Sequence, residues 1–272
     1  MSDVVTIALR AEPAERVELD GVTADRLAGL DEREIASLSV RVGRSRAQLG
    51  DLFDVRGGRS ARVRVMGALQ LVDGLGAGTS AGEMIVEGEV GHRLGAGMRG
   101  GWIDVRGSAG DAAGLAMSGG ALRIVGNAGA RVGAGEPGAS RGMTGGEIVV
   151  NGDAGDEAAA RLRRGLVLIT GAAGADAGRA MIAGTLVAFG AIAGPAGRGS
   201  KRGSIVALDA IEIPETYRYA CTYQPAYLRL LYTYLRRRYG IAVEDEALNG
   251  RYERHCGDAG TVGKGEILRL VR

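Results

Sequence analysis

Gly146-Glu147-Ile148-Val149-Val150-Asn151-Gly152 is the stretch that decides how this 272-residue chain is read, because its frame recurs along the chain. The glycines at 67, 88, 107, 126, 152, 171 and 190 each close a short apolar run. They stand 21, 19, 19, 26, 19 and 19 residues apart, and one more step of 19 reaches Asp209. A second column, Gly82, Gly101, Gly120, Gly146, Gly165, Gly184 and Gly203, stands six residues before each closing position. A fixed period of this kind marks a repeat architecture and takes precedence over local readings.

Between the two columns the apolar residues alternate. The second position holds Met84, Ile103, Leu122, Ile148, Val167, Leu186 and Ile205, and the fourth holds Val86, Val105, Ile124, Val150, Ile169, Ala188 and Ala207. Strict alternation rich in β-branched residues predicts strands with one face buried. Nineteen residues are too few for a strand, a return helix and their turns. Hairpins would reverse every second strand, whereas here each strand returns in the same frame. The expected fold is therefore mainly β: a right-handed parallel β-helix of about seven to eight coils, stacked at about 4.8 Å. Glycines at the corners serve tight bends and close backbone approach.

Met98, Met117, Met143 and Met181, with Leu162 in the gap, stand three residues before the second column and read as core filling. The long step of 26 exceeds the others by seven residues, placed in Ala134–Arg141 with Glu136-Pro137-Gly138 at the tip. An insertion in a repeat array maps to a loop on one edge, where ligands are often met.

Three segments follow: 1–60 as an N-terminal α/β cap, 61–209 as the repeat, and 210–272 as a C-terminal extension. The cap reads as strands at Val4–Leu9, Val17–Leu19 and Leu38–Val42, a turn or cap at Thr23–Asp25 and a short helix at Asp31–Ile35. End repeats need such a cover. In the extension, Pro225 and Gly240 bound a helix of about 15 residues with the stripe Leu228, Leu231 and Leu235. Arg236-Arg237-Arg238 load its C-terminal end, which the helix dipole favours. Turns and a last short strand near Gly263–Ile267 complete the chain.

A net charge of +2 and aromatic residues at 4 % argue against nucleic-acid binding. No apolar run is long enough to span a membrane, and Met1–Arg10 lacks the apolar core of a signal peptide. Cys221 and Cys256 form no disulfide framework. A cytoplasmic location is the expectation.

No catalytic constellation emerges. His92 and His255 are the two histidines, and the pair His255-Cys256 is too little for a metal site. Asp104, Asp111, Asp153 and Asp156 lie on different repeats, so no acidic pair stands out. Catalytic residues and metal ligands are therefore read as none.

The outward registers change along the array. Early repeats place Glu83, Glu87, Asp104, Arg106 and Arg123 there, and later ones place Val149, Leu166, Leu168, Val187, Phe189, Val206 and Leu208. An uncovered apolar ladder invites aggregation, so the C-terminal tail and a partner subunit are expected to share its cover. Val149, Leu168, Val187, Phe189 and Val206 are the candidate partner interface. Basic residues also gather late: between residues 160 and 203, seven of them face a single acid, Asp176. Arg179 and Arg198 hold the same register on adjacent repeats, an arrangement that repels unless an anion lies between them. Arg141, Arg163, Arg164, Arg179, Arg198, Lys201 and Arg202 are the candidate anion-binding set.

The segments Gly95–Gly101, Gly142–Val150 and Arg179–Thr185, with the lead-in Gly50–Val55 and the ending Gly263–Ile267, resemble the GXGXG β-helix family. That family is shared by the C-terminal domain of the glutamate synthase large subunit and the C subunit of formylmethanofuran dehydrogenase. The resemblance covers nearly the whole chain and is nearer the C subunit type. Two complexes use that type, the tungsten or molybdenum dehydrogenase and a formyltransferase/hydrolase complex of tetrahydromethanopterin-linked one-carbon metabolism in methylotrophs. Abundant Ala and Arg, with Lys201 and Lys264 the only lysines, fit a high-GC bacterium and favour the second.

The resemblance implies a non-catalytic scaffold that docks a hydrolase subunit, a formyltransferase subunit and a further structural subunit. It implies no cofactor of its own. A methanofuran-type carrier with a glutamate tail would supply the anion for the basic set. The competing readings are a glutamate-synthase-like spacer domain and a free-standing β-helix enzyme acting on carbohydrate.

Overall fold

The computed structural model describes residues 4–272; Met1, Ser2 and Asp3, where the leader reading begins, lie outside them. The N-terminal segment runs β1 (Val5–Leu9), β2 (Val17–Glu18), α1 (Ala24–Leu27), α2 (Glu32–Ala36), β3 (Ser39–Val42), β4 (Ser45–Gln48), α3 (Leu49–Leu52) and β5 (Phe53–Arg56). The repeat contributes β6 (Arg62–Met66), β7 (Val72–Asp73), β8 (Glu83–Glu87), β9 (Arg99–Val105), β10 (Gly119–Ile124) and β11 (Glu147–Val150). It continues with β12 (Leu166–Ile169), β13 (Thr185–Ala188), β14 (Ile192–Pro195), β15 (Arg202–Ala207) and β16 (Ile211–Glu212). The tail adds β17 (Arg218–Tyr223), α4 (Ala226–Tyr239), α5 (Asp245–Asn249), β18 (Tyr252–Gly257) and β19 (Lys264–Leu270).

The chain is mainly β, built on a 13-stranded sheet in which β6, β8 to β13 and β15 lie side by side in sequence order. These neighbours are parallel, with Ile148 opposite Val167, Val167 opposite Leu186 and Leu186 opposite Ile205. A second line of parallel bridges joins the same repeats through Leu69, Val90, Ala109, Ala128, Ala154, Ala173 and Ile192. Both columns that hold the frame are glycine, for different reasons. Gly165 has φ +105°, and a Cβ there would stand 2.5 Å from the Gly146 carbonyl oxygen. At Gly190 the backbone is ordinary, yet a Cβ would meet the Gly171 carbonyl carbon at 2.6 Å.

The alternating apolar residues and Met98, Met117, Met143, Met181 and Leu162 form one continuous core along the stack. Side chains also stitch repeat to repeat. Asp111, Asp153 and Asp156 each accept the backbone N–H of the residue 19 positions on, at 2.8 Å, and His92 Nδ1 accepts from Asp111 N–H at 2.9 Å. These carboxylates are spread along the stack because each satisfies one backbone donor of its neighbour.

The flanks extend the sheet rather than merely covering it. β1 lies parallel to β6, with Val5 opposite Val63, and β5 closes that edge antiparallel to β1. Asp31 caps α2 in a box with Glu34, and Thr23 caps α1, as their residue types predict. At the other end β19 pairs parallel with β15, and β18 and β17 follow antiparallel. β17 and β18 are absent from the sequence reading, because their mixed-polarity residues carry no alternation.

Tyr217 plugs the far end of the core, its hydroxyl donating to Gly197 O at 3.0 Å, and burial pushes its pKa up to about 12. Beside it, burial acts to raise the pKa of Asp258. The N–H groups of Gly199 and Gly260 and the side chain of Thr216 outweigh that and hold it below the ordinary 3.8. A depressed folded-state pKa gives stability that is present above the unfolded value and lost as pH falls through the folded one. The protein should lose melting temperature below about pH 4, and Asp258→Asn should flatten that acid limb. An equally steep limb in melts of the variant would show that Asp258 contributes none of it.

Candidate functional site

The strand face read as a partner interface is covered by the chain's own helix. Val149, Leu168, Val187 and Val206 are fully buried, in a second core with Leu228, Tyr232, Leu235 and Tyr239 of α4. Phe189 packs at its margin, its ring edge-on to Tyr232 at 6.2 Å. The four buried residues therefore offer no surface to another subunit, and Phe189 is half-buried beside them. The apolar ladder and the Tyr-rich helix meet because each has an unpaired apolar face, and joining them removes both from water.

α4 covers only the later repeats, and a polar clasp fixes where it stops. Tyr239 stacks on Trp102 with ring centroids 5.5 Å apart, and Arg238 lies over the Trp102 ring at 5.2 Å. The Tyr234 hydroxyl donates to Glu147 Oε1 at 2.7 Å, the Tyr239 hydroxyl donates to Glu147 Oε2, and Arg238 Nε stands 3.3 Å from that oxygen. Burial and the Glu147 anion push the Tyr234 pKa up to about 12 and raise that of Tyr239. Both phenols therefore keep the protons they donate. Beyond the clasp, the same outward register returns to charge at Asp104 and Arg123.

The basic candidates fall into two groups. Arg179 Nη1 donates to Glu157 at 3.0 Å and Arg198 Nε donates to Asp176 at 3.0 Å, each reaching 22 residues back. Their repulsion is thus relieved inside the chain, by carboxylates the sequence reading did not connect with them. Arg163, Arg164 and Arg202 instead line one cleft of about 360 Å³, together with Gly165, Ile182, Ala183 and Gly184. Two repeats supply the arginines, and the repeat between them supplies Ile182 and Ala183, which leaves room between the charges. Arg141 and Lys201 are exposed. Among the described residues no ion pair engages Arg141, Arg163, Arg164, Lys201 or Arg202.

The insertion borders a second cleft, of about 290 Å³, lined in part by Arg131, Glu136, Glu157, Arg161 and Arg179. Arg131 and Arg161 donate to the carbonyls of Gly135 and Ala139, both at 2.6 Å, and Arg93 pairs with Glu136 at 2.9 Å. These residues pin the loop to the stack. Sequence reading placed the loop but missed its anchors, since arginines bonded to backbone carbonyls leave no motif.

Among the described residues no group of three or more His, Cys, Asp or Glu could hold a metal ion, and no helix is long and apolar enough to cross a membrane.

No protein-family model matches the chain. The Fhc C subunit of the formyltransferase/hydrolase complex of Methylorubrum extorquens is 38 % identical over 89 residues, 33 % of this chain and 34 % of that one, so the sequence match spans about a third of the relative. The structural match is far longer. A chain in the crystal structure of the formyltransferase/hydrolase complex (FhcABCD) from Methylorubrum extorquens, in complex with methylofuran, superposes with a TM-score of 0.91 at 38 % identity. That match covers 98 % of this chain and 100 % of that one. Identity at that level across the full length goes beyond a shared architecture: the chain belongs to the family of formyltransferase/hydrolase complex C subunits.

Proposed function

We propose that this chain is the structural C subunit of a hetero-oligomeric formyltransferase/hydrolase complex in tetrahydromethanopterin-linked one-carbon metabolism. Its reactive groups would lie on the partner subunits, a hydrolase and a formyltransferase, and it works in the cytoplasm. The end-to-end likeness to a chain of that complex is the observation that carries this reading. In this reading the stack is a right-handed parallel β-helix spanning 61–209, with 1–60 as its cap and 210–272 as its extension. The two-line contact between successive repeats supports that geometry.

The finer part of the proposal is that the basic set holds the glutamate tail of a methanofuran-type carrier. Arg163, Arg164 and Arg202 grip it in their cleft, and Arg141, Arg179, Arg198 and Lys201 complete the field. Three guanidinium groups that line one cleft without internal acid partners suit a string of carboxylates. The triple reversal Arg163→Glu, Arg164→Glu and Arg202→Glu should weaken retention of the carrier by the purified complex about tenfold or more at low salt. The melting temperature should stay near wild type, because the three side chains are exposed. Unchanged retention would remove the carrier from this cleft and leave the subunit assignment standing.

A further inference from the structure

With the strand ladder buried, one patch of apolar surface remains open on the other side of the covering helix. Leu230 is 75 % exposed, and Tyr227 and Tyr234, at 38 % and 39 %, flank it along one line of α4. The hydroxyls of both tyrosines are engaged by the chain itself, Tyr234 by Glu147 and Tyr227 by Ser204. Leu230, Thr233, Tyr234, Arg237 and Arg238 line an open groove of about 590 Å³ there.

The charges on α4 itself have one sign. α4 carries Arg229, Arg236, Arg237 and Arg238 and no acidic residue. Arg236 is engaged with the Val243 carbonyl and Arg238 with Glu147. Arg229 and Arg237 stay exposed, and no ion pair among the described residues engages them. A solvated surface helix ordinarily interleaves both signs. This one sets an apolar centre among arginines, the composition of an interface core with a charged rim.

We infer that the outer face of α4 docks another subunit of the complex, one that inserts an apolar side chain beside Leu230 and rings it with carboxylates. This inference rests on the proposed complex and names the surface through which the chain joins it. A second copy fits poorly, since a two-fold contact would set Arg229 and Arg237 against themselves. A lipid surface fits poorly too. The apolar line from Tyr227 to Tyr234 runs only about 10 Å, and the helix cannot roll, because its other face is locked in the second core.

The test uses the full chain, affinity-tagged and co-produced with the remaining subunits of its complex, in wild-type, Leu230→Asp, Leu230→Arg and Arg229→Glu/Arg237→Glu forms. Native mass spectrometry reads the partner subunits recovered per chain, and melting curves check folding. Leu230 buries little, so its variants should fold as wild type does. Leu230→Asp and the double reversal should each lower recovery at least tenfold, and Leu230→Arg should lower it less, because an acidic partner tolerates the added cation.

Wild-type chain that recovers no subunit would bring down the proposed complex itself. Wild-type recovery that all variants match would overturn the docking face alone. Equal losses from Leu230→Asp and Leu230→Arg would overturn the acidic partner. Self-association of the isolated chain, or its binding to phosphatidylglycerol vesicles, abolished by Leu230→Asp, would each overturn the inference in favour of that occupant.

Discussion

Leu168→Asp should free the C-terminal helix while the repeat stack stays folded. Leu168 is fully buried between Val149 and Val187 on the neighbouring strands, in the core shared with Leu228, Tyr232 and Leu235. An aspartate there loses about 2–3 kcal/mol of apolar burial. It also meets an unpaired buried carboxyl group, worth a further few kcal/mol even when the group takes up a proton. Undocking α4 relieves both costs, because the strand itself tolerates the residue: Asp104 occupies the same register two strands before Val149, beside Arg106 and Arg123. Trypsin should then cut first at Arg229, Arg236, Arg237 or Arg238, and β8 to β12 should stay protected from hydrogen exchange. A helix still resistant to cleavage would mean that the second core is not what holds α4 down.

The largest loss of stability should come from a glycine of the second column. Gly165→Val places a β-branched residue at φ +105°, with its Cβ 2.5 Å from the Gly146 carbonyl oxygen and 2.7 Å from Met143 Cε. Strained backbone costs about 1–3 kcal/mol and overpacking about 1–3 kcal/mol, for a total of about 2–6 kcal/mol. The carbonyl belongs to a backbone held on both sides, so only the methionine can move aside. Gly190→Ala adds one carbon at an ordinary φ, and its clash alone should cost about 1–3 kcal/mol. Urea denaturation would rank them. A Gly165→Val protein within about 0.5 kcal/mol of wild type would show that the column is not needed where the repeats meet.

These two substitutions mark the division between what the chain states locally and what it does not. Regular spacing is visible in sequence because each repeat meets its neighbours through equivalent positions, so the same constraint is written once per repeat. The glycine columns, the inward Ile, Val and Leu residues and the methionine ladder all follow from that one fact, and so does parallel order in the main sheet. The caps at Thr23 and Asp31 and the span of α4 were legible for another reason: each depends on a few adjacent residues.

Contacts that happen once leave no such trace. The partners of Arg179 and Arg198 stand 22 residues back, outside the 19-residue frame, so no spacing in the sequence connects each arginine with its carboxylate. Asp111, Asp153 and Asp156 form no pattern in sequence, yet each accepts an N–H of the next repeat.

The sequence alone determined the period, the buried face of each strand and the glycines that allow repeats to touch, because periodic packing demands periodic residues. Only the tertiary structure decided that α4 lies over the late outward ladder and leaves Leu230 in water. It alone brought Arg163, Arg164 and Arg202 to one cleft and tied Glu147 to a helix end about ninety residues away. Those pairings depend on where the tail folds back, and a single long-range contact is fixed by shape and charge in space rather than by any spacing along the chain.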